Sequence, residues 1–266
     1  MKIGLVMPIC TTHAMQVDAW ASACENSQPD TPFYVLLNGI TPSELPPLPD
    51  RIQVLQEPAR FEDEKDLWDY CLRFAVAQGW DWCMLIHDDF RIMEPGWEAD
   101  LALSEGWRVA IASWLGYGLW NKEANSGYPT DGHLAVTFDS MSFGFNVPIF
   151  AERGFITDTR WGYGFASWEA NGWALQNDYA VWHILGNSWH QWIPNENTRT
   201  KLELGAQGHP EIRERYFGIS LPSRVIDTEH IEIIDRTVRI APLGATDQPR
   251  VTHCIDAGQE HLHEFE

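Results

Sequence analysis

Trp80-Asp81-Trp82-Cys83-Met84-Leu85-Ile86-His87-Asp88-Asp89-Phe90 is the stretch that decides the fold. The apolar run Cys83 to Ile86 follows Gly79 and stops at His87, Asp88 and Asp89, the pattern of a buried strand that ends in a crevice. Adjacent carboxylates at a strand end suit a hard divalent cation, which takes one or two carboxylates and completes its shell with water and substrate phosphate. The same three residues also fit an acidic turn that caps the next segment.

Just before this stretch, Asp63 to Gln78 has Leu67, Tyr70, Cys71, Phe74 and Ala75 on one helical face, with Gly79 just past the end. On the amino-terminal side, Ile3 to Met7 reads as a first strand, and Pro8-Ile9-Cys10-Thr11-Thr12 as the loop at its carboxyl end. His13 to Ser22 then carries a helical pattern on Met15, Ala19 and Trp20. Phe33 to Leu37 is a second strand stopped by Asn38-Gly39. The run from Pro42 to Pro49 is a surface connection, and Ile52 to Leu55 a third strand. Strand and helix alternation predicts an α/β fold with a mostly parallel sheet flanked by helices. Ligands of such sheets gather at the carboxyl strand ends, which collects Pro8, Thr11, Asn38, Asp88 and Asp89.

Composition narrows the functional classes. The chain has 266 residues, 44% hydrophobic, and a net charge of −20, with a pI near 4.7. Such acidity repels phosphate backbones and anionic lipid, so nonspecific nucleic-acid binding is not expected. The five cysteines lack CxxC spacing and read as reduced thiols of a cytoplasmic protein. The apolar amino-terminal run is shorter than a signal peptide, and no stretch approaches the length of a membrane span. Six of the 14 tryptophans, Trp161, Trp168, Trp173, Trp182, Trp189 and Trp192, crowd one segment. Aromatic faces stack on sugars, and they are also ordinary core.

Further along, Val109 to Trp114 is a strand, Gly116 to His133 has the composition of a loop over a site, and Ser140 to Val147 is another strand. Tyr179 to Ile184 is a strand followed by Gly186-Asn187-Ser188-Trp189-His190. Glu211 to Phe217 has a helical pattern and Glu232 to Ile240 a strand-like one.

Several of these segments resemble GT-A glycosyltransferases, especially the family 2 group, over about residues 2 to 190. Leu36-Leu37-Asn38-Gly39 lies where that family ends its second strand near Asp-Asn-Gly. Leu85-Ile86-His87-Asp88-Asp89-Phe90 lies at the Asp-x-Asp-like motif, and Glu94-Pro95-Gly96-Trp97 resembles the Pro-Gly-Trp before the next helix. Two departures stand out: His87 replaces the first motif carboxylate, and Leu37 replaces a nucleotide-contacting Asp. Trp161-Gly162-Tyr163-Gly164 resembles the acceptor loop, and Glu169 the carboxylate in the first turn of the following helix.

The resemblance implies a metal-dependent, inverting transfer of sugar from a nucleoside diphosphate sugar, a UDP-sugar foremost, to an acceptor hydroxyl of unknown identity. It implies Mn²⁺ or Mg²⁺ on Asp89 and Asp88, with His183 as the far ligand and His190 as fallback. Pro8, Thr11, Asn38 and Asp88 are then donor-side residues. Glu169 is the expected base and Asp158 its rival; Glu169 also fits a charge that merely complements a helix dipole. Residues 1–195 form the expected catalytic domain, with a nucleotide-sugar half over 1–100 and an acceptor half over 101–195. Residues 196–266 form an extension packed on it. A nucleotidyltransferase of similar topology and a noncatalytic carbohydrate-binding protein are the alternative readings.

Overall fold

A computed structural model describes residues 1–56, 60–61, 63–114, 134–135, 142–158, 166–184, 188–190, 232–234 and 237–240. Strands β1 (Ile3–Ile9), β2 (Phe33–Leu37), β3 (Ile52–Gln56) and β4 (Trp82–Ile86) pair in parallel in the order β3-β2-β1-β4. Beyond β4 the eight-stranded sheet continues through β8 (Ser142–Asn146), β6 (Val109–Trp114), β9 (Ala180–Ile184) and β7 (Leu134–Ala135). Only β8 and β7 run against the others, so the sheet is mixed but mostly parallel, as expected.

Side chains alternate between the two faces of the sheet, and each face has its own core. Leu5, Met7 and Ile9 of β1 pack with Trp82, Met84 and Ile86 of β4 on one face, where Ala19, Trp20 and Ala23 of helix α1 (Met15–Asn26) cover them. Val6, Cys83 and Leu85 point to the other face, against Trp68, Cys71, Leu72 and Ala75 of α2 (Glu64–Gln78). Helix α3 (Trp97–Ala102) joins the first core through Trp97 and Leu101. The second core also takes Val147 and Phe150 of α4 (Val147–Arg153) and Ala166, Ala170 and Ala174 of α5 (Ala166–Gln176). A strand buried on both faces reads as a continuous apolar run, which is why β4 is wholly buried.

Helix α2 begins and ends on local chemistry. Asp63 accepts a hydrogen bond from the Asp66 amide, and Gly79, at φ 65°, closes the carboxyl end with its amide on Ala75 and Val76. Antiparallel β8 fits beside β4 because Gly144 lies opposite Met84, where a Cβ would meet the methionine sulfur.

Several boundaries differ from the sequence expectation. Pro8 and Ile9 belong to β1 rather than to the following loop. Leu5 donates its amide toward β2, on the Pro32 carbonyl, so the imide nitrogen of Pro8, three residues on, faces β4. Pairing with β4 stops at Val6, so no ladder bond is lost there. Helix α1 starts at Met15 rather than His13 and runs on to Asn26. Val147 opens α4 rather than ending the preceding strand. The Glu232 to Ile240 pattern is an antiparallel pair, β11 (Glu232–Ile234) with β12 (Thr237–Ile240). The loop 116–133 and the helix expected over 211–217 lie outside the described residues. Among the described residues no helix is long and apolar enough to cross a membrane.

Candidate active site

The acidic pair sits in a turn directly after β4. The Phe90 amide donates to the His87 carbonyl at 3.1 Å, so Asp88 and Asp89 occupy the turn's two central positions. Strand β5 (Phe90–Ile92) then leaves the turn and pairs antiparallel with β10 (Ser188–His190), His190 opposite Phe90. The acidic stretch is therefore a turn, and it lies at the carboxyl end of a parallel strand.

Asp88 is held from the first turn of α1 and from the loop before it. Its Oδ2 accepts from Gln16 Nε2 at 2.7 Å and lies 3.1 Å from His13 Nε2. Gln16 Nε2 also donates to the Thr11 carbonyl at 2.5 Å, while Gln16 Oε1 accepts from the His13 amide at 3.2 Å. The hydrogen bond to Asp88 raises the His13 pKa above the ordinary imidazole value; burial opposes this, and the charges of Asp88 and Asp89 add to it. Thr11 itself is exposed. Asn38 is buried, donates its amide to the Ile9 carbonyl at 2.8 Å, and accepts from the Phe61 amide at 2.7 Å through its side-chain oxygen. Pro8 lies opposite Leu36. The loops after β1, β2 and β4 thus meet at one end of the sheet.

The two expected histidine ligands are placed differently by their backbones. His190 is in register with Phe90, the residue after Asp89. His183 lies in β9 opposite Ser113 of β6, and β8 and β6 separate β9 from β4 in the sheet.

Glu169 and Asp158, the carboxylates expected on the acceptor side, meet in a separate corner of the fold. Glu169, in the first turn of α5, has no exposed surface; its Oε1 accepts from Arg153 Nη2 at 2.6 Å and its Oε2 from the Asp158 amide at 3.0 Å. Arg153 also donates to the Ile156 carbonyl at 2.6 Å, and its guanidinium carbon lies 4.3 Å from the Phe155 ring centre and 4.4 Å from that of Trp173. Asp69 of α2 accepts from the Ile156 amide at 2.9 Å, which pins the same segment from the other side. Asp158 is half-buried at the end of this braced segment. Trp161 and its glycine-rich loop lie outside the described residues. Of the crowded tryptophans, Trp182 is buried and Trp173 packs on Phe150 and Tyr179, so these two are core.

Sequence reasoning missed three of these residues. Gln16 and His13 looked like ordinary polar positions of a helix start, although Gln16 shares a core-facing stripe with Ala19, Trp20 and Ala23. Arg153 sits in a helix that Asn146, Pro148 and Gly154 could have announced as cap, first-turn proline and stop. The four described cysteines, Cys10, Cys24, Cys71 and Cys83, are free, and burial pushes the Cys71 and Cys83 thiols far up.

Among the described residues no three His, Cys, Asp or Glu side chains converge into a ready cage. The pair Asp88 and Asp89 at a strand end nevertheless fits Mg²⁺ or Mn²⁺, which bind through one or two carboxylates and take the rest of their shell from phosphate and water.

The mixed, mostly parallel sheet flanked by helices is the architecture that the GT-A resemblance implied, and solved glycosyltransferase structures share the fold. The chain superposes on a mannosyltransferase from Pyrobaculum calidifontis, in complex with GDP-Man and Mn²⁺, with a TM-score of 0.56 at 11% identity, covering 82% of this chain and 65% of that one. It superposes on S. aureus TarS 1-349 in complex with UDP-GlcNAc with a TM-score of 0.53 at 12% identity, covering 83% and 74%. The UDP complex of the same protein gives 0.51 at 13% identity, covering 85% and 76%. The chain spans just under two thirds of the mannosyltransferase and 44% of the longer TarS structure. No family model and no curated protein sequence matches it.

Proposed function

We propose that this chain is a metal-dependent glycosyltransferase that moves a sugar from a nucleoside diphosphate sugar, foremost a UDP-sugar, to an acceptor hydroxyl with inversion. The observation that carries the reading is the gathering of Thr11, Asn38, Asp88 and Asp89 at the carboxyl ends of parallel β1, β2 and β4, where ligands of such sheets bind. The nucleotide-sugar and Mn²⁺ complexes of proteins with the same fold support it.

In this reading Asp89 and Asp88 hold Mn²⁺ or Mg²⁺, and the backbone register of His190 beside the acidic turn favours it over His183 as a third ligand. Held there, the cation would supply positive charge for the diphosphate leaving group. Pro8, Thr11 and Asn38 line the donor side. On the acceptor side, Glu169 and Asp158 divide the work. Glu169, buried and bonded to Arg153 and the Asp158 amide, braces the corner; the half-buried Asp158 takes the proton from the attacking hydroxyl. Fixing both substrates contributes up to about 7–11 kcal/mol for ideal alignment.

The test is the leaving group. Incubated with Mn²⁺ and a panel of nucleotide sugars, the protein is expected to release a nucleoside diphosphate. Release of pyrophosphate from nucleoside triphosphates would make it a nucleotidyltransferase instead.

A further inference from the structure

Gln16 lies on the core-facing stripe of α1 with Ala19, Trp20 and Ala23, and none of its surface is exposed. A buried carboxamide at such a position is unfavourable unless its hydrogen bonds are made. Here they are made to three partners in two different loops. Nε2 donates to the Thr11 carbonyl and, across 72 residues of sequence, to Asp88 Oδ2; Oε1 accepts from the His13 amide. His13 Nε2 approaches the same Asp88 oxygen at 3.1 Å. Oδ2 is therefore engaged by the protein's own nitrogens, and no described residue bonds to Oδ1, the Asp88 oxygen that would face a cation.

We propose that Gln16 is the positioning residue of this site: one buried carboxamide sets the Asp88 carboxylate and the donor-side loop relative to each other. The proposal rests on the metal-dependent glycosyltransferase reading. Gln16 touches neither donor nor cation. It acts by fixing which oxygen Asp88 presents and by holding the Thr11 loop at hydrogen-bonding range of the acidic turn.

The experiment uses the full chain, with Mn²⁺ followed by its electron paramagnetic resonance signal in the presence of UDP, and with melting temperature recorded without metal. Gln16→Met keeps length and helix preference but removes both polar atoms. Gln16→Glu keeps size and the acceptor for His13 but removes the donor to Asp88. Ala19→Gly weakens the same helix without touching the turn. Both Gln16 variants are expected to bind Mn²⁺ about 10–100-fold more weakly, the usual effect of losing a partner that orients a metal ligand, while Ala19→Gly binds like wild type. Equal affinity in wild type and the folded Gln16 variants overturns the proposal alone. Equal weakening in Ala19→Gly also overturns it, since helix stability would then be the cause. A wild-type chain that binds no Mn²⁺ overturns the metal reading beneath it as well.

Discussion

Arg153 and Glu169 form a charge pair sealed inside the protein: Nη2 and Oε1 are 2.6 Å apart, with side-chain exposures of 6% and 0%. Taking either charge out of water is unfavourable, and the pair is tolerated because each partner satisfies the other and a backbone group besides. Removing one partner should therefore be far worse than removing both. Arg153→Met is expected to lower stability by about 3–5 kcal/mol in urea unfolding. The double variant Arg153→Met with Glu169→Leu should recover part of that loss. A double variant as unstable as the sum of the singles would show that the two side chains act independently.

The roles proposed for Glu169 and Asp158 make different predictions. Asp158→Asn should leave melting temperature and donor affinity near wild type and lower transfer to the acceptor by about 10²–10⁴-fold. Glu169→Gln should lower the melting temperature, because a neutral amide replaces the carboxylate facing the Arg153 guanidinium. Melting, donor titration and turnover on both variants separate the roles. A Glu169→Gln protein with native stability and no turnover would return the base to Glu169.

Glu98 supplies a pH test remote from the site. Its carboxyl accepts from the Gln28 amide at 2.7 Å and from the Thr31 hydroxyl at 3.1 Å. Burial pushes its pKa up, while those hydrogen bonds and Arg51 pull it back only in part. A raised folded-state value means that this group's contribution to stability is complete below the unfolded carboxyl range, near pH 4, and is lost as pH rises through the folded value. Glu98→Gln carries no such dependence. Its melting temperature should exceed wild type at pH 8, and the difference should close toward pH 4. A difference that stays constant with pH would rule out titration of Glu98 as its source.

Much of the fold was legible because the informative signals were local. Phe33–Leu37 and Val109–Trp114 read to the residue as apolar runs, and Gly79 marked the end of α2. The insertion of antiparallel β8 between β4 and β6 was not legible, since pairing across such separations leaves no periodic trace in either strand. Pro8 misled because proline ends most strands, and only the place where β4 stops pairing makes it harmless. At the site, the acidic turn announced itself by charge at the end of an apolar run. Gln16 and Arg153 did not: their roles lie in what they bond to, and those partners come from other loops and helices.

If the acidic turn holds a nucleoside diphosphate through a divalent cation, calorimetric titration of UDP and GDP will register the metal. The titrations are run in Mn²⁺ and in EDTA, on wild type and on Asp89→Asn. Wild type is expected to bind in Mn²⁺ and to weaken by at least about tenfold, or 1.4 kcal/mol, in EDTA. Asp89→Asn in Mn²⁺ should match wild type in EDTA. Affinities that are equal across all four conditions, or no binding of either nucleotide in Mn²⁺, would contradict binding through the cation.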